Sequence, residues 1–411
     1  MEVDNKKNDQ NIIPNDADKP QKGVNVPNLR FKEYYENWTI KPLGAVCKFL
    51  KGRGISKEDL SNTGNPCILY GELYTTYKTA IIKDIKSKTL LELKSLVRSK
   101  SNDVLIPCSG ETAEDIATSI CVPYDDVLIG GDLTIIRSEL NGAFLSNQIN
   151  SVRKLNIAKV AQGKSIVHLQ ADELKKINIS FPRIAEQQKI ANFIDLLDQR
   201  IDTQSKIIED LQTLKISICD KVFEDTTYPE YKLKDVLSER IEKSNVNNQY
   251  EILSSTIKGL FTQKEYFDKD IASSNNIGYK IVHLYDIIIS PQNLWMGNIT
   301  FNQRFTNGLV SPSYKIYIIN NNFDMYYIAN MLKTKRAMYK YICSSQQGAS
   351  VVRRNLNMDD FLSLSFNIPD INKQRKIRLL LNTIDKRIDL EQTYLTKLNQ
   401  QKKFLLKNMF I

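Results

Sequence analysis

The sequence contains an internal repeat, and this repeat limits the folds that the chain can adopt. Leu169–Phe223 and Leu356–Phe410 align without a gap at a shift of 187 positions (356 − 169). The identical positions include Pro182 and Pro369 and the Arg-Ile-Asp triplets at 200–202 and 387–389. Repetition over such a span indicates one structural unit that is present twice. We therefore predict one duplicated helical scaffold that carries two intervening segments of dissimilar sequence.

The composition is that of a globular protein with more than one core. The chain has 411 residues, of which 42% are hydrophobic, and chains of this length form several domains. A membrane helix needs about 20 consecutive apolar residues, and the sequence has no such run, so we expect no membrane partner and a cytoplasmic location. Six scattered cysteines and two histidines, His168 and His283, provide neither a disulfide framework nor the ligand spacing of a zinc site. We expect no metal and no cofactor.

Shifts in composition and periodicity divide the chain into five segments. The N-terminal residues are polar and rich in Asn, Asp and Lys, which is typical of a disordered tail. Two mixed segments follow, each with strand-like runs and each ending in a helical pattern that begins after a proline. The predicted segments are a tail at 1–30, a first globular domain at 31–183, a first spacer helix at 184–224, a second globular domain at 225–369 and a second spacer helix at 370–411. The predicted fold class is α+β.

Several elements inside the globular segments are predicted from short runs. The predicted strands are Val104–Ile106, Leu133–Ile136, Ile281–Ile289 and Tyr314–Ile319. Asp324–Ile342 has apolar residues on one side of a helical projection, which predicts a single helix. Gly52-Arg53-Gly54 and Gly130-Gly131 are too short for nucleotide-binding loops, so we interpret these glycines as turn residues.

Both helical segments have the residue spacing of a coiled coil, with steps of four and three. In the first helix these steps fall on Ile190, Ile194, Leu197, Ile201, Gln204, Ile208, Leu211, Lys215, Ile218 and Val222. In the second they fall on Ile377, Leu381, Ile384, Ile388, Glu391, Leu395, Leu398, Lys402, Leu405 and Met409. The polar interruptions occur at the same two steps in both copies, which predicts that the helices pair with each other. The alternative is that each helix packs only on its own globular segment.

The polar interruptions also favour one orientation of the two helices. Parallel pairing would place Lys215 against Lys402, whereas antiparallel pairing can place Lys215 against Glu391 and Gln204 against Lys402. The helices carry opposite net charges, −2 for 186–223 (5 − 7) and +7 for 373–410 (10 − 3). Exposed ion pairs contribute less than about 1 kcal/mol each, so the apolar seam must supply most of the stabilisation. We predict an antiparallel coiled coil with pseudo-two-fold symmetry.

The start of the first helix resembles a motif of a known family. Pro182–Ala191 (PRIAEQQKIA), followed by Leu197–Asp202, is similar to the segment that follows each target-recognition domain in specificity (S) subunits of type I restriction-modification systems. The second copy, Pro369–Ile377 with Ile384–Asp389, is also similar, although Lys373 stands where the motif has glutamate. The resemblance extends to Tyr70-Gly71-Glu72 and Gly308–Tyr314, and it covers about residues 27 to 411.

The resemblance implies a DNA-reading subunit that has no catalytic site of its own. In that family two recognition domains are separated by helices, which dock two methyltransferase subunits and recruit restriction/translocase subunits. The implied partners are therefore double-stranded DNA and these subunits. The sequence agrees, because it has no Asn-Pro-Pro-Tyr or Asp-Pro-Pro-Tyr methylation loop and no GxxxxGK[ST] phosphate loop. Dissimilar domains on matching helices predict an asymmetric, bipartite DNA target.

Base reading requires hydrogen-bonding side chains at base edges and Lys or Arg on phosphates. The candidates in the first domain are Lys51, Arg53, Tyr74, Tyr77, Lys78 and Lys164. Those in the second are Gln292, Asn293, Trp295, Arg304, Gln346, Gln347, Arg353 and Arg354. Lys164, Arg353 and Arg354 are favoured because they lie beside a second repeated signature, Gln162–Val167 against Gln347–Val352. The alternative is that the aromatic residues belong to the core and the basic ones only keep the surface soluble.

The sequence alone leaves two other classes of function open. A net charge of +10 attracts polyanions without identifying one, so the chain could instead be a protein-binding scaffold on a coiled-coil strut. It could also be a nuclease or methyltransferase with its own active site, in which Pro369-Asp370 and Lys373 would form a nuclease-like pattern. The helix start at Pro369 argues against that pattern. Neighbouring methyltransferase and translocase genes would favour the DNA-reading function.

Overall fold

The computed structural model of the chain describes residues 25–91, 95–163, 167–266, 275–347 and 354–411. The chain forms two compact units. The first unit consists of the residues up to Gln204 together with Tyr394–Ile411, and the second unit is Ser205–Thr393. Both units mix helices and strands, and each globular part is followed by a long helix. The predicted α+β fold class is confirmed, and each long helix is shared between the two units.

The helices and strands of the first unit precede its long helix. The strands are β1 (Thr39–Pro42), β2 (Cys47–Lys51), β3 (Leu60–Ser61), β4 (Asn65–Ile68), β5 (Ser87–Thr89), β6 (Val97–Arg98), β7 (Asp103–Pro107), β8 (Ser109–Gly110), β9 (Ile120–Val122), β10 (Leu128–Ile129), β11 (Leu133–Ser138), β12 (Val167–His168) and β13 (Asn178–Phe181). The helices are α1 (Leu43–Val46), α2 (Glu72–Thr75), α3 (Ala113–Ile116), α4 (Gly142–Gln148), α5 (Lys154–Val160) and α6 (Ala171–Lys176), with a π-helical turn at Ile149–Arg153 and a 3₁₀ turn at Lys57–Asp59. The first long helix is α7 (Ile184–Phe223).

The second unit has its own set of elements. Its strands are β14 (Glu230–Lys232), β15 (Leu237–Glu239), β16 (Leu253–Thr256), β17 (Gly259–Thr262), β18 (Lys280–His283), β19 (Ile287–Ile289), β20 (Ile299–Phe301), β21 (Asn307–Val310), β22 (Lys315–Ile319), β23 (Ser345–Gln347), β24 (Arg354–Leu356) and β25 (Ser365–Asn367). Its helices are α8 (Leu233–Val236), α9 (Gln263–Tyr266), α10 (Met325–Met331), α11 (Lys335–Cys343) and α12 (Met358–Ser363), with a 3₁₀ turn at Leu294–Met296. The second long helix is α13 (Ile371–Asn408).

The duplication extends into the globular parts as a four-stranded antiparallel sheet. Its strand order is β2-β11-β7-β9 in the first unit and β15-β22-β19-β20 in the second. A two-stranded antiparallel pair also recurs, as β1-β13 and β14-β25, whereas other strands differ between the units. The first unit adds a five-stranded sheet of order β3-β5-β4-β10-β6, whereas the second has the two-stranded ribbons β16-β17 and β18-β21. One scaffold therefore carries two dissimilar additions, as the repeat predicted.

A buried carboxylate fixes the turn before the central strand of each four-stranded sheet. In the first unit Asp103 is buried and accepts two hydrogen bonds from Arg137, at 2.7 and 2.6 Å. It also accepts a hydrogen bond from the backbone N–H of Lys100 at 2.7 Å. The residue before it, Asn102, has a φ of 80°, which few residues other than glycine adopt. The carboxylate thus closes a tight turn at the start of β7.

The same arrangement recurs in the second unit and corrects one strand prediction. Asp286 is buried and accepts hydrogen bonds from Arg240 and from the backbone N–H of His283. Tyr285 has a φ of 72°. The predicted continuous strand Ile281–Ile289 is therefore wrong, because this turn divides it into β18 and β19. The sequence carries a signal for this turn, because the charged residue Asp286 interrupts the apolar run.

The predicted helix Asp324–Ile342 is also divided. Asp324 caps α10 by accepting a hydrogen bond from the backbone N–H of Tyr327, and Thr334 caps α11 in the same way through the N–H of Ala337. A side-chain cap ends one helix register and starts another. The single-helix prediction is wrong because Thr334 begins a new helix in the middle of the run.

Two glycine positions confirm the interpretation as turn residues. A Cβ atom on Gly52 would collide with the carbonyl oxygen of Gly130, and one on Gly130 would lie 3.0 Å from the carbonyl oxygen of Ile68. The backbone segments after β2 and β10 therefore approach more closely than any side chain permits.

The hydrophobic core of each unit includes a long helix end. In the first unit Trp38, Phe144 and Phe410 form an aromatic cluster with ring centroids 5.1 to 6.5 Å apart. In the second unit Phe223, which is the repeat equivalent of Phe410 (410 − 187), lies 5.0 Å from Tyr327. Aromatic side chains bury large apolar areas. The last turn of one long helix thus completes the core of each unit.

Candidate nucleic-acid interface

The described residues on either side of the repeated Gln-Gly signature pair with each other in both units, as the two arms of a hairpin. In the first unit the backbone N–H of Gln162 donates to the carbonyl of His168 at 2.9 Å, and the reverse bond is 2.7 Å long. In the second unit Gln347 lies opposite Arg354 in the antiparallel ladder of β23 and β24. Lys164 and Arg353, two of the favoured DNA-binding candidates, lie outside the described residues. The described residues that flank the signature are therefore paired in the same antiparallel way in both units.

Lys51 and the hairpin of the first unit line one cleft. Lys51 is the last residue of β2, and its exposed side chain borders a cleft of about 490 Å³ together with His168 and Lys175. Burial raises the pKa of the Cys108 thiol in the same cleft, so this thiol is a poor nucleophile. Arg53 is exposed two residues further along. The cleft brings cationic side chains beside the hairpin.

The candidates around α2 have different environments. Lys78 is exposed, and Tyr74 is half-buried. The pKa of Tyr74 is raised, first by burial and then by nearby groups that include Glu111 and Asp115. Tyr77 packs against the core cluster, and its hydroxyl accepts the backbone N–H of Lys86 at 3.3 Å. Burial raises the pKa of Tyr77 to about 12.

The second unit brings two predicted segments together. The 3₁₀ turn Leu294–Met296, which contains Trp295, contacts β24 and α11. Gln292 is exposed at the preceding turn. The turn that carries Gln292 and Trp295 therefore lies beside the hairpin of β23 and β24, as a common binding surface requires.

The Arg304 guanidinium already has a partner within the chain. Its guanidinium donates two hydrogen bonds to Glu265, one of them 3.0 Å long, and it lies 4.8 Å from the ring centroid of Phe305. The Arg304 hydrogen bond holds the pKa of Glu265 below its ordinary value. The donors that would read a base already have a partner, which sequence inspection could not show because Glu265 lies 39 positions earlier in the chain.

The predicted helix-pairing residues lie on the inner face of the long helices. Ile190, Ile194, Ile377, Leu381, Ile384 and Glu391 are buried, and Leu197, Ile201, Lys215 and Ile388 are half-buried. In the first unit the start of α7 packs against the end of α13, where Leu405 and Met409 join the same core. In the second unit the end of α7 packs against the start of α13. The beginning of one helix lies beside the end of the other in both units, so the predicted antiparallel coiled coil is confirmed.

The ion pairs between the helices involve partners that the sequence did not predict. Lys402 Nζ lies 2.5 Å from Oδ1 of Asp198 in the first unit. Lys215 Nζ lies 2.5 Å from Oδ1 of Asp385 in the second. The expected partners of these lysines were Gln204 and Glu391, so the orientation was right and the axial offset was wrong. A heptad pattern defines which residues face a seam, but it leaves the offset along the axis to packing.

A family model for the type I restriction modification DNA specificity domain matches residues 35–213 and 227–400. Both repeats are thus matched, and together they span most of the chain. The chain belongs to the type I restriction-modification specificity family.

Individual proteins support the family membership over nearly the full length. A type I restriction enzyme MjaX specificity subunit of Methanocaldococcus jannaschii is 21% identical over 430 residues, which cover 94% of this chain and 95% of that protein. The crystal structure of a type I S subunit from M. genitalium matches with a TM-score of 0.55 at 16% identity, covering 94% and 99% of the two chains. A chain solved for the complex assembly and conformational transition of a type I R-M system matches with a TM-score of 0.57 at 15% identity, covering 91% and 97%. At these identities the structures support the fold alone.

The family motif contains a buried glutamine that braces each globular part. Gln187 donates to the carbonyl of Pro182 at 2.8 Å and accepts the backbone N–H of Asn141 at 2.9 Å. Its repeat equivalent Gln374 makes the same two bonds, to Pro369 and Asp324, at 2.8 Å each. Both glutamines are 2% exposed. The repeat showed that these positions match, but only the structure shows what the side chains hold.

The glutamate of the motif and its lysine replacement have different contacts. Glu186 is buried, accepts two hydrogen bonds from Arg30 at 2.7 Å each, and lies 3.4 Å from the Trp38 indole nitrogen. Lys373 lies 5.7 Å from the ring centroid of Tyr228. The Glu186 contacts also correct the predicted tail boundary, because Arg30 and Leu29, whose N–H donates to the Asn408 carbonyl, belong to the first unit.

Among the described residues, no group of three or more His, Cys, Asp and Glu side chains is arranged to hold a metal ion. No helix within the described ranges is long and apolar enough to cross a bilayer.

Proposed function

We propose that this chain reads an asymmetric, bipartite DNA sequence for a type I restriction-modification complex. The family membership establishes a specificity subunit, and the finer role is our inference. The observation that carries it is the contrast between the matched and unmatched parts of the repeat. The helical seam, the glutamine braces and the four-stranded sheets match, whereas the five-stranded sheet and the two-stranded ribbons do not. Matching scaffolds with different exposed parts would place two different base-reading surfaces on DNA.

The proposed assignment gives one half-site to each globular part. Residues 31–183 would read one half-site and residues 225–369 the other, with unread base pairs between them. The proposed DNA contacts are Lys51, Arg53, Tyr74, Lys78, Lys164, Gln292, Trp295, Gln347, Arg353 and Arg354. Arg304 would contact DNA only after its ion pair with Glu265 breaks. Base-edge contacts supply specificity, and phosphate contacts supply most of the salt-dependent affinity.

The exposed faces of the long helices are the proposed docking sites for two methyltransferase subunits. In the first unit Phe193, Leu196 and Phe404 are exposed on α7 and α13. In the second unit Leu379, Leu390 and Leu214 are exposed. Soluble surfaces rarely expose grouped large apolar side chains unless a partner covers them. Docking of one methyltransferase subunit per unit would cover both groups.

We further propose that the chain performs no chemistry and acts in the cytoplasm. Methyl transfer would belong to the docked methyltransferase subunits, and cleavage to restriction/translocase subunits that join the complex. The base-reading subunit itself would need neither a metal nor a cofactor. This division of labour is what the family membership suggests for a chain built from two recognition domains and two helices.

Mapping of methylated adenines in the host genome tests the proposal directly. We expect one two-part motif with unread bases between its halves, and we expect it to disappear when the gene is deleted. Replacement of residues 225–369 with those of a relative should change one half of the motif and leave the other intact. A continuous motif, an unchanged methylation pattern after deletion, or a change in both halves would contradict the proposal.

A further inference from the structure

A two-stranded ribbon in the second unit projects beside a polar cleft. Strands β16 and β17 pair from Leu253–Thr262 to Thr256–Gly259, which leaves Ile257 and Lys258 as a two-residue turn. Gly259, the residue after this turn, has a φ of 137°, a conformation that favours glycine. The major groove of DNA is wide enough to admit a two-stranded ribbon. The tip of this ribbon is therefore suited to entering the groove.

The cleft lies between this ribbon and the turn that follows β19. Its volume is about 400 Å³. The lining residues are Ser254, Ser255, Thr256, Ile257, Lys258, Tyr266, Asn293, Met296, Asn298 and Tyr314. The ribbon tip thus forms one side of the cleft. The turn that contains Asn293, Met296 and Asn298 forms the other side.

The floor of the cleft is a closed hydrogen-bond network. Ser255 Oγ lies 3.0 Å from Asn298 Oδ1 and 2.9 Å from Thr300 Oγ1. Asn298 donates back to the carbonyl of Ser255 at 3.1 Å. All three side chains are buried. The floor is fixed and its polar atoms are used, so it can support a binding surface without itself reading a ligand.

The rim has the opposite property. The side chains of Lys258 and Asn293, which line the cleft, and of the adjoining Gln292 have no hydrogen bond or ion pair with any described residue, and Lys258 and Gln292 are exposed. Ile257 is 62% exposed and Met296 is 37% exposed beside them. Free donors and acceptors next to exposed apolar groups form a surface with unused recognition capacity, in contrast to the engaged guanidinium of Arg304.

We propose that this rim is the base-reading surface of the second recognition domain, with Lys258 and Asn293 as specificity-determining residues. The inference rests on the proposed function and names the part of the chain that performs it. A lysine only donates hydrogen bonds, and in the major groove guanine presents the acceptors O6 and N7. An asparagine amide donates and accepts, which matches N7 and N6 of adenine. The second half-site therefore contains a guanine that Lys258 reads and an adenine that Asn293 reads.

The apolar residues of the rim complete the assignment. Ile257 adjoins Lys258 at the ribbon tip, and Met296 lies in the same turn as Asn293. Exposed apolar groups at this level of the groove contact thymine methyl groups. Gln292 lies next to Asn293 and is available for a neighbouring base. Lys258 was missed in the sequence, because Ile257-Lys258 is not one of the Asn-Gly or Asp-Gly pairs that indicate a two-residue hairpin turn.

The test uses the full chain assembled with its methyltransferase subunit and a library of duplex DNA of random sequence. The wild type and the variants Lys258→Ala, Asn293→Ala and Lys258→Arg are used to select bound duplexes. Lys234→Ala and Asn321→Ala are matched controls, because both residues are exposed in the same unit and line no part of the cleft. Circular dichroism melting confirms that each variant is folded.

We expect the wild type to select a two-part motif. Lys258→Ala should lose about tenfold to hundredfold of the preference for one guanine in one half-site, and Asn293→Ala a similar preference for one adenine. Lys258→Arg should retain the guanine, and both controls and the other half-site should be unchanged. If the wild type selects a two-part motif that Lys258→Ala and Asn293→Ala keep, the rim assignment is wrong while the proposed function stands. If the folded wild-type complex selects no motif, the proposed function itself fails.

Discussion

Asp198 and Lys402 form an ion pair in the first unit whose repeat equivalents, Asp385 and Lys215, form the same pair in the second with the two helices exchanged. The equivalence is arithmetic, since 198 + 187 is 385 and 215 + 187 is 402. The two pairs have the same 2.5 Å separation. They differ in burial, because Asp198 is 5% exposed and Asp385 is 42% exposed. The same ion pair thus occurs once in a buried and once in a more exposed environment.

Removal of the lysine should cost more in the buried pair. Lys402→Ala leaves the Asp198 carboxylate buried without its counter-ion, so we expect a loss of about 3 kcal/mol in the free energy of unfolding. Lys215→Ala removes a more solvated pair and should cost less than about 1 kcal/mol. Urea denaturation of both variants at neutral pH measures the difference. Equal losses would show that burial does not govern these contacts.

The same aspartate should make stability depend on pH. Burial raises the pKa of Asp198 above its ordinary value of 3.8, and the Lys402 ammonium offsets only part of this shift. The folded chain therefore binds this proton more tightly than the unfolded chain, and the associated stability is lost as pH rises through the raised pKa. The free energy of unfolding of the wild type should fall relative to Asp198→Asn across this window. Urea titrations at a series of pH values test this, and a slope of opposite sign would contradict it.

The glutamine braces should be costly to remove in both units. Gln187→Ala leaves the Pro182 carbonyl and the Asn141 N–H without their partner in a buried position, where each unsatisfied group costs about 1–3 kcal/mol. We expect a loss of about 2–4 kcal/mol, and a comparable loss for Gln374→Ala. Gln199→Ala is the control, because the Gln199 side chain is exposed and, among the described residues, donates a hydrogen bond only to its helix neighbour Asp195. Thermal unfolding measures these losses. Equal melting temperatures for the control and for the two glutamine variants would show that these hydrogen bonds do not stabilise the fold.

The turn before β7 depends on one arginine. Arg137→Ala leaves Asp103, which is 1% exposed, without its charged partner, and such a loss costs about 3–5 kcal/mol. Arg137→Lys should be intermediate, because an ammonium cannot reproduce the paired geometry of a guanidinium. Arg98→Ala is the control, since the exposed Arg98 side chain donates only to the Asp126 carbonyl among the described residues. Calorimetry that finds Arg137→Ala as stable as Arg98→Ala would exclude this role.

Complex assembly should depend on the exposed leucines of α13. Leu390→Asp places a charge on the proposed docking face, and we expect at least about tenfold weaker retention of the methyltransferase subunit, equivalent to about 1.4 kcal/mol. Ile241→Asp is the control, because Ile241 is 77% exposed in the same unit but lies outside the long helices. Affinity co-purification with both folded variants gives the answer. Undiminished retention by Leu390→Asp would remove the docking face from the proposal.

The sequence predicted the parts of the fold that depend on periodicity and repetition. Pro182 and Pro369 marked both helix starts, and the four-and-three spacing identified the buried seam. It failed where a single contact decides the structure. Asp286 and Thr334 each interrupt an apolar pattern through a backbone hydrogen bond, and a periodicity count averages such residues away.

The candidate site was harder to predict for a related reason. Arg304 and Lys258 are both cationic residues near glycines or aromatics, and nothing local in the sequence separates them. The difference is that Glu265 engages Arg304, whereas no described residue engages Lys258. Availability of a side chain is a property of the folded surface, since the partner that uses it can come from any distance along the chain.

The composition of the two units has a consequence for biosynthesis. The second unit is one uninterrupted stretch, Ser205–Thr393, whereas the first needs Tyr394–Ile411 to complete the core around Trp38 and Phe144. A ribosome translates Tyr394–Ile411 after the whole of the second unit. The first unit must therefore keep an open apolar core until this segment has been made, whereas the second unit can already fold.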